Sequence, residues 1–195
     1  LSDEERTAIQ STPAPPFSVT RYYARLMEDS PECPIRKQCI PSIHENTVLT
    51  YETGDPLFED RYSRVPRLIH RYQNRAVLLA SDTCAVYCRH CFRRYFTGSR
   101  KSGISETEIG SAAAYIESNK NIQELLISGG DPLMLSEEKL RDIISAITEK
   151  RRDLIIRIAT RVPVVFPSRI RKMLNILLQV KNPVWVITQF NHPKE

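Results

Sequence analysis

The sequence predicts an α/β protein with a mainly parallel sheet, preceded by an extension of helices and loops. Two observations lead to this prediction. From residue 76 onward, short apolar runs alternate with amphipathic, capped segments, and such alternation is typical of strand–helix units in a parallel sheet. Before residue 67, eight of the 13 prolines interrupt the chain and no long periodic pattern appears. Short right-handed connections then favour either a barrel or a doubly wound sheet.

Each predicted element has its own local pattern. Four apolar runs predict strands at 76–81, 122–128, 153–160 and 183–190. Three segments that open with Ser or Pro predict helices at 105–118, 136–150 and 167–180. In the second of these helices, four apolar residues share one face: Leu140, Ile143, Ile144 and Ile147.

We therefore expect an N-terminal extension over residues 1–70 and four strand–helix units over residues 71–195, as part of either a barrel or a doubly wound sheet; the resemblance described below implies that they are the first four units of a barrel. Four strands cannot close a barrel, and the fourth predicted strand carries apolar residues on both faces. Natural proteins rarely leave such a sheet edge bare. The sequence therefore predicts that further barrel units follow residue 195 in the complete protein.

The composition is that of an ordinary globular protein, with 41% hydrophobic residues in 195. No run approaches the roughly 20 continuous apolar residues of a membrane span, and the polar start LSDEERTAIQ is unlike a signal peptide. Five cysteines are too few for a disulfide scaffold. These features predict a cytoplasmic protein without a membrane partner, in which Cys33 and Cys39 are ordinary packing or surface thiols.

The positive charge of the chain is concentrated in one stretch. The formal net charge is +5, from 28 basic and 23 acidic residues. Between residues 89 and 101 there is no acid, and the five cations there equal the whole excess: Arg89, Arg93, Arg94, Arg100 and Lys101. A local positive field predicts an anionic ligand beside it more than general nucleic-acid binding.

Three cysteines, Cys84, Cys88 and Cys91, directly follow the first predicted strand, where loops of parallel sheets carry chemistry. A zinc site usually needs a second pair of ligands, and a four-cysteine iron–sulfur cluster would need Cys33 or Cys39. The spacing suits three thiolates on a 4Fe–4S cluster whose fourth iron stays open for a ligand. Zinc binding and purely structural thiols remain alternatives.

The stretch CAVYCRHCFRRYFTG resembles the cluster loop of radical S-adenosylmethionine enzymes, in particular of the lysine 2,3-aminomutase family. PIRKQCIPS, GDPLFED and HRYQNR, upstream of it, also resemble that family. Three later segments resemble its strand ends: ISGGDPLML (127–135), RIATRVPVVFPSRI (157–170) and VWVITQFNHPKE (184–195). The resemblance covers nearly the whole chain. It implies a partial TIM-like barrel of the radical S-adenosylmethionine type, with a 4Fe–4S cluster, S-adenosylmethionine and pyridoxal phosphate as cofactors.

In that family the reduced cluster cleaves S-adenosylmethionine, and the resulting radical starts the migration of an amino group from the α to the β carbon of an amino acid. The resemblance implies L-lysine as the first expected substrate. It also implies an electron donor such as flavodoxin or ferredoxin, and a homo-oligomer when the protein is full length. Glutamate 2,3-aminomutase and an elongation-factor-P-type lysine 2,3-aminomutase are alternatives within the family.

Two alternatives come from other functional classes. The chain could be an iron–sulfur electron-transfer protein that uses the same three cysteines. It could also be a basic nucleic-acid-binding module, in which Phe92, Tyr95 and Phe96 stack on bases. The confinement of the charge to one loop argues against the second of these, and we expect no nucleic-acid partner.

The resemblance also assigns roles to residues of the cysteine-containing segment and of the glycine-containing segment. Cys84, Cys88 and Cys91 are implied cluster ligands, and His90 is implied to lie near the adenine of S-adenosylmethionine. The amino end of that cofactor is implied to meet four further residues: Ser128, Gly129, Gly130 and Asp131. Two glycines permit a close approach of the backbone to a ligand.

The remaining implied contacts concern the substrate and pyridoxal phosphate. Arg93 matches the arginine that pairs with the substrate carboxylate, a role that suits its planar fork. Arg71, Tyr72 and Arg75 match positions near pyridoxal phosphate. Gln189 stands beside the cofactor, where lysine 2,3-aminomutases usually have His. None of the lysines matches the family's pyridoxal lysine, so we assign no catalytic residue and expect residues 1–195 alone to be inactive.

Overall fold

The protein is described here by a computed structural model, which covers residues 1–12, 15–98 and 103–195. Six strands form one open sheet in chain order. They are β1 (Ser63–Val65), β2 (Leu68–Tyr72), β3 (Arg75–Ser81), β4 (Glu124–Gly129), β5 (Ile155–Ala159) and β6 (Val184–Ile187). The pairs from β1 to β3 are antiparallel, and those from β3 to β6 are parallel. The predicted α/β class is confirmed, and the open sheet is consistent with a partial barrel.

Seven α-helices accompany the sheet in the part of the chain that the structure describes. They are α1 (Asp3–Ser11), α2 (Arg21–Ala24), α3 (Pro34–Lys37), α4 (Glu106–Ser118), α5 (Glu137–Thr148), α6 (Val162–Val165) and α7 (Pro167–Leu177). The side chains of Ser105 and Ser136 accept hydrogen bonds from the first turns of α4 and α5, and Pro167 opens α7. No helix in the described ranges is long and apolar enough to cross a membrane.

The sequence did not predict strands β1 and β2, which it assigned to helices and loops. β1 has only three residues, and β2 ends in the exposed pair Arg71 and Tyr72. A two-residue turn joins β2 to β3, with Tyr72 paired to Arg75. Because half of the hairpin is exposed and polar, it lacks the apolar alternation that marks a strand in a sequence. The boundary expected at residue 70 lies inside β2, and the division into two domains stays a prediction.

Two apolar clusters hold the fold together. The larger cluster lies between the sheet and helices α4, α5 and α7, and includes Leu78, Ile127 and Ile158. The smaller cluster packs residues of the extension, Cys39 among them, against Ala85 and Val86 of the cysteine-containing segment. Cys33 and Cys39 are free and buried in this second cluster, so they are the packing thiols that the sequence predicted. The extension therefore packs directly on the segment between Cys84 and Cys88.

Candidate active site

A buried ion pair fixes the end of β3, immediately before the cysteines. Arg67 donates to both carboxylate oxygens of Asp82, over 2.9 and 2.8 Å, and to the carbonyl of Leu79 over 3.1 Å. The Asp82 side chain is 0% exposed, so loss of Arg67 would leave an uncompensated carboxylate in the interior. The pair holds the strand end in one geometry, two residues ahead of Cys84.

The three clustered cysteines lie on the wall of one cavity of about 400 Å³, which we call the cysteine cavity. Their thiols are free and partly exposed. Burial raises the pKa of the Cys84 thiol well above its usual value and raises that of Cys91 as well. A bound metal deprotonates a coordinating thiol outright. Burial thus favours the protonated form of Cys84 and Cys91, and a bound metal centre would convert both to thiolates.

The arrangement of the thiols fits the donor set of an iron–sulfur cluster. Among the described residues, no group of three or more His, Cys, Asp or Glu side chains converges on a position for one metal ion. Cys84, Cys88 and Cys91 all line the cysteine cavity. Cysteine thiolates are the ligands of iron–sulfur clusters, and in such a cluster each thiolate binds a different iron.

Gly129 and Gly130 bring the end of β4 onto the backbone that leads to Cys84. A Cβ atom on Gly129 would lie 2.5 Å from the Ser81 carbonyl oxygen, and one on Gly130 would lie 2.5 Å from that of Thr83. Gly129 also has φ of 105°, which side chains disfavour. The sequence suggested that the glycines permit the approach of a ligand. In the structure they line the cysteine cavity, but their closest neighbour is the preceding strand end.

Asp131 joins the ends of β4 and β5. Its carboxylate accepts hydrogen bonds from Thr160 Oγ1 at 2.6 Å, from the Leu133 amide at 3.0 Å and from the Arg161 amide at 2.8 Å. Burial raises the pKa of Asp131, while these three hydrogen bonds act in the opposite direction. Asp131 and Ser128 both line the cysteine cavity, where the sequence placed them. The carboxylate of Asp131 is already occupied by protein donors.

Arg161, which sequence analysis missed, contacts one of the three cysteines. Its Nη1 donates to Cys88 Sγ over 2.8 Å. Its Nη2 lies 3.1 Å from each of three acceptors: Tyr23 Oη, Gln38 Oε1 and Glu195 Oε1. Arg161 directly follows β5, so its position at a strand end was the signal that could have identified it. A permanent cation beside Cys88 would offset the negative charge of a thiolate-bound cluster.

The arginines of the cysteine-containing segment are paired with acids of the extension. Glu45 Oε2 lies 2.7 Å from Arg89 Nη2 and 2.8 Å from Arg94 Nη2. Glu59 pairs with Arg93. The predicted local positive field is thus compensated at these three positions, because acids distant in sequence fold back onto the loop. Arg100 and Lys101 lie outside the described residues.

Arg93 is held by a two-point ion pair. Its Nε lies 3.1 Å from Glu59 Oε2 and its Nη2 lies 2.6 Å from Glu59 Oε1. Tyr95 donates its hydroxyl to Glu59 Oε2 over 2.8 Å, and burial, then this contact, raises the pKa of Tyr95. Glu59 is a second residue that sequence analysis missed. Arg93 lines the cysteine cavity, and its contact with a substrate carboxylate stays a prediction.

A second cavity of about 280 Å³, the arginine cavity, lies beside the first, and Arg93 lines both. Arg71, Tyr72 and Arg75 line the arginine cavity together, so the structure brings together the three residues predicted near pyridoxal phosphate. The guanidinium groups of Arg71 and Arg75 lie 5.8 and 5.1 Å from the Tyr72 ring. Neither arginine has a carboxylate partner within the described ranges, and both are available to an anion.

The other predicted residues lie on or near the same surface. His90 and Gln189 both line the cysteine cavity, and Gln189 Nε2 donates to Asn191 Oδ1 over 2.7 Å. Of the three aromatics predicted for base stacking, Phe92 is exposed while Tyr95 and Phe96 are partly buried. The latter two therefore do not present an open platform for bases.

Comparisons with known proteins concern the same part of the chain. A family model described as "4Fe-4S single cluster domain" matches residues 71–162. The chain is 42% identical over 197 residues to L-lysine 2,3-aminomutase of Fusobacterium nucleatum, which covers 100% of the chain and 46% of that protein. Identity to L-lysine 2,3-aminomutase of Bacillus subtilis is 42% over 190 residues, covering 97% of the chain and 40% of that protein.

A third relative comes from an archaeon. Identity to L-lysine 2,3-aminomutase of Methanococcus maripaludis is 41% over 198 residues, covering 100% of the chain and 46% of that protein. The chain thus spans less than half the length of these relatives. The matched iron–sulfur domain contains Cys84, Cys88 and Cys91, and the similarity extends across the N-terminal extension. The chain belongs to the lysine 2,3-aminomutase family of the radical S-adenosylmethionine superfamily.

Proposed function

We propose that the protein is an amino-acid 2,3-aminomutase that moves an amino group from the α to the β carbon, with L-lysine as its substrate. One observation carries the proposal. Arg93 lines both the cysteine cavity and the arginine cavity, so one carboxylate-binding side chain is shared by the cavity that holds the thiols and the cavity that holds two anion-binding arginines. The names of the relatives support lysine as the substrate.

The proposal assigns the family's three cofactors to these cavities. When bound, the cluster and S-adenosylmethionine supply hydrogen-atom abstraction, and pyridoxal phosphate supplies the electronic conjugation that amino-group migration needs. Cys84, Cys88 and Cys91 hold the cluster through thiolates and leave one iron open. Ser128, Gly129, Gly130 and Asp131 form the wall against which the amino end of S-adenosylmethionine lies, with His90 and Gln189 on the same cavity.

The arginine cavity is suited to the phosphate of pyridoxal phosphate. Arg71 and Arg75 offer planar, permanently charged donors, and the Tyr72 ring between them restricts their rotation. A phosphate that receives two guanidinium groups is bound at several oxygens at once. The substrate would then lie toward Arg93, which lines both cavities.

The proposal includes partners and a location that the same family suggests. The reaction needs an electron donor, for which a flavodoxin or a ferredoxin would serve, and a free amino acid as the small-molecule substrate. A homo-oligomer and a cytoplasmic location complete the proposal. The proposal includes no nucleic-acid partner.

The experiment is anaerobic reconstitution with iron and sulfide, followed by electron paramagnetic resonance with and without S-adenosylmethionine. We expect a 4Fe–4S signal that changes when S-adenosylmethionine is added. The loaded protein is then given L-lysine and L-glutamate separately, and β-amino-acid products are identified by mass spectrometry. A signal that does not change with S-adenosylmethionine would favour an electron-transfer protein. A product from L-glutamate but not from L-lysine would reassign the substrate to glutamate.

A further inference from the structure

We infer that Glu59 is a positioning residue, which holds the guanidinium of Arg93 so that only one of its two edges can receive the carboxylate of an amino acid. The inference rests on the proposed function, because it specifies how that function's substrate is bound. It assigns to the N-terminal extension a direct part in substrate recognition.

The geometry of the ion pair distinguishes the two edges of the guanidinium. Glu59 contacts Nε and Nη2 of Arg93, over 3.1 and 2.6 Å, which is the edge beside the side-chain stem. The opposite edge is formed by Nη1 and the second hydrogen of Nη2. Nη1 of Arg93 has no hydrogen-bond partner among the residues that the structure describes. This free edge has the fork geometry that matches a carboxylate in two parallel hydrogen bonds.

Glu59 is itself held rigidly, as a positioning residue must be. Its side chain is 9% exposed and that of Arg93 is 11% exposed, so water screens the pair weakly. The Tyr95 hydroxyl occupies a further acceptor position on Glu59 Oε2. The Phe92 ring lies 4.7 Å from the Arg93 guanidinium and covers one of its faces. Rotation of Arg93 therefore requires the loss of several contacts at once.

The backbone before Glu59 is strained in a way that directs this side chain. Phe58 has φ of 52°, in the left-handed region that side chains rarely adopt. The Asp55 side chain accepts the Asp60 amide over 3.1 Å and holds the turn. Strained residues of this kind persist where the surrounding structure determines them, often at functional sites. This turn leads directly into Glu59, which contacts Arg93 and Tyr95 of the cysteine-containing loop.

The test measures substrate binding by calorimetry in the purified, cofactor-loaded protein without reductant, so that no turnover occurs. Two probes are compared: L-lysine, and L-lysinamide, which lacks the carboxylate. Because hydrogen bonds between charged groups are among the stronger ones in proteins, we expect Glu59→Gln to weaken L-lysine binding by about tenfold or more. L-Lysinamide binding should not change. Glu117→Gln, which removes an ion pair with Lys150 outside both cavities, is the control and should leave both affinities unchanged.

A double-mutant cycle with Arg93→Lys separates this inference from the proposed function. If Glu59 acts through Arg93, Glu59→Gln has no further effect once Arg93 is Lys. Equal L-lysine affinity in Arg93→Lys and the unmodified protein would refute the substrate-binding role of Arg93 in the proposed function. If Arg93→Lys weakens L-lysine binding but Glu59→Gln leaves it unchanged or tighter, only the positioning role of Glu59 is overturned. The same holds if the losses of affinity from the two single changes add up in the double variant.

A milder variant keeps the inference testable if Glu59→Gln fails to fold, which its melting temperature would reveal. Tyr95→Phe removes a single hydrogen bond to Glu59 and leaves its charge in place. We expect it to weaken L-lysine binding by a smaller factor and to leave L-lysinamide binding unchanged. Unchanged affinity for both probes in a folded Tyr95→Phe protein would overturn the inference.

Discussion

Arg161 Nη1 donates a hydrogen bond to Cys88 Sγ over 2.8 Å, and thereby places a guanidinium against one of the three cysteines of the candidate cluster site. The two residues are 73 positions apart in the chain. Hydrogen bonds to cluster sulfurs are among the factors that set the reduction potential of an iron–sulfur cluster. The contact therefore leads to the first prediction.

Arg161→Gln should make the cluster harder to reduce. A donor and a positive charge beside a sulfur ligand favour the more negative, reduced cluster, so their removal should lower the midpoint potential by about 60 mV or more, the equivalent of tenfold in a one-electron equilibrium. The measurement is a redox titration followed by electron paramagnetic resonance. Arg157→Gln is the control, because Arg157 is also on this part of the sheet but pairs with Glu124. Equal potentials in all three proteins would contradict the prediction.

The set of cluster ligands can be tested with two cysteine variants of different burial. Cys88→Ala should lose bound iron after reconstitution, because it removes a thiolate from the cysteine cavity. Cys39→Ala should keep the full iron content, because Cys39 is buried in the smaller apolar cluster and has a pKa of about 12, raised mainly by burial. Iron analysis and the visible absorption spectrum provide the readout. Loss of iron in Cys39→Ala would favour a four-cysteine cluster instead.

Gly130→Ala should destabilise the protein, because the new Cβ would lie 2.5 Å from the Thr83 carbonyl oxygen and 2.9 Å from the Thr83 nitrogen. Overpacking of this kind typically costs about 1–3 kcal/mol. Gly110→Ala is the matched control, since Gly110 lies within α4 and has no atom within 4 Å of an added Cβ. That change should stabilise the protein by about 0.5–1 kcal/mol. Urea unfolding of both variants gives the comparison, and equal effects would exclude the close approach.

The pair between Glu5 of α1 and Arg36 of α3 should make stability depend on pH in acid. The Arg36 hydrogen bond lowers the pKa of Glu5 from 4.5 to about 2. A lowered pKa contributes stability that is fully present above about pH 4.5 and is lost as the pH falls through about 2. Glu5→Gln should flatten this part of the stability curve, measured by urea unfolding between pH 6 and pH 3. Glu4→Gln, at an exposed position of the same helix, should leave the curve unchanged.

Much of the fold could be predicted from the sequence because its patterns are local. Ser105 and Ser136 cap α4 and α5 as expected, and β3 to β6 lie within the predicted apolar runs, apart from one residue at an end of two of them. The cysteines were found from their close spacing at a strand end, and the two glycines from the resemblance to the family, at the end of the next strand. In a parallel sheet, such strand ends converge at one edge.

The contacts that complete the site could not be predicted in this way. Glu45 reaches Arg89 over a separation of 44 residues, and Glu59 reaches Arg93 over 34. A window along the sequence shows the arginines without these acids and therefore overstates the local charge. Strands β1 and β2 were missed for a related reason. Backbone hydrogen bonds hold these strands in the sheet, and such bonds require no pattern of apolar side chains in the sequence.

The position of the N-terminal extension has a consequence for transferring this site between proteins. Ala85 and Val86 pack on residues of the extension, and Glu45 and Glu59 bind three arginines of the same loop. The shape of the loop is therefore specified by two stretches of the chain that a graft would separate. A loop transplanted alone into another barrel would carry the three cysteines but would lose these contacts with the extension, which help to hold its conformation.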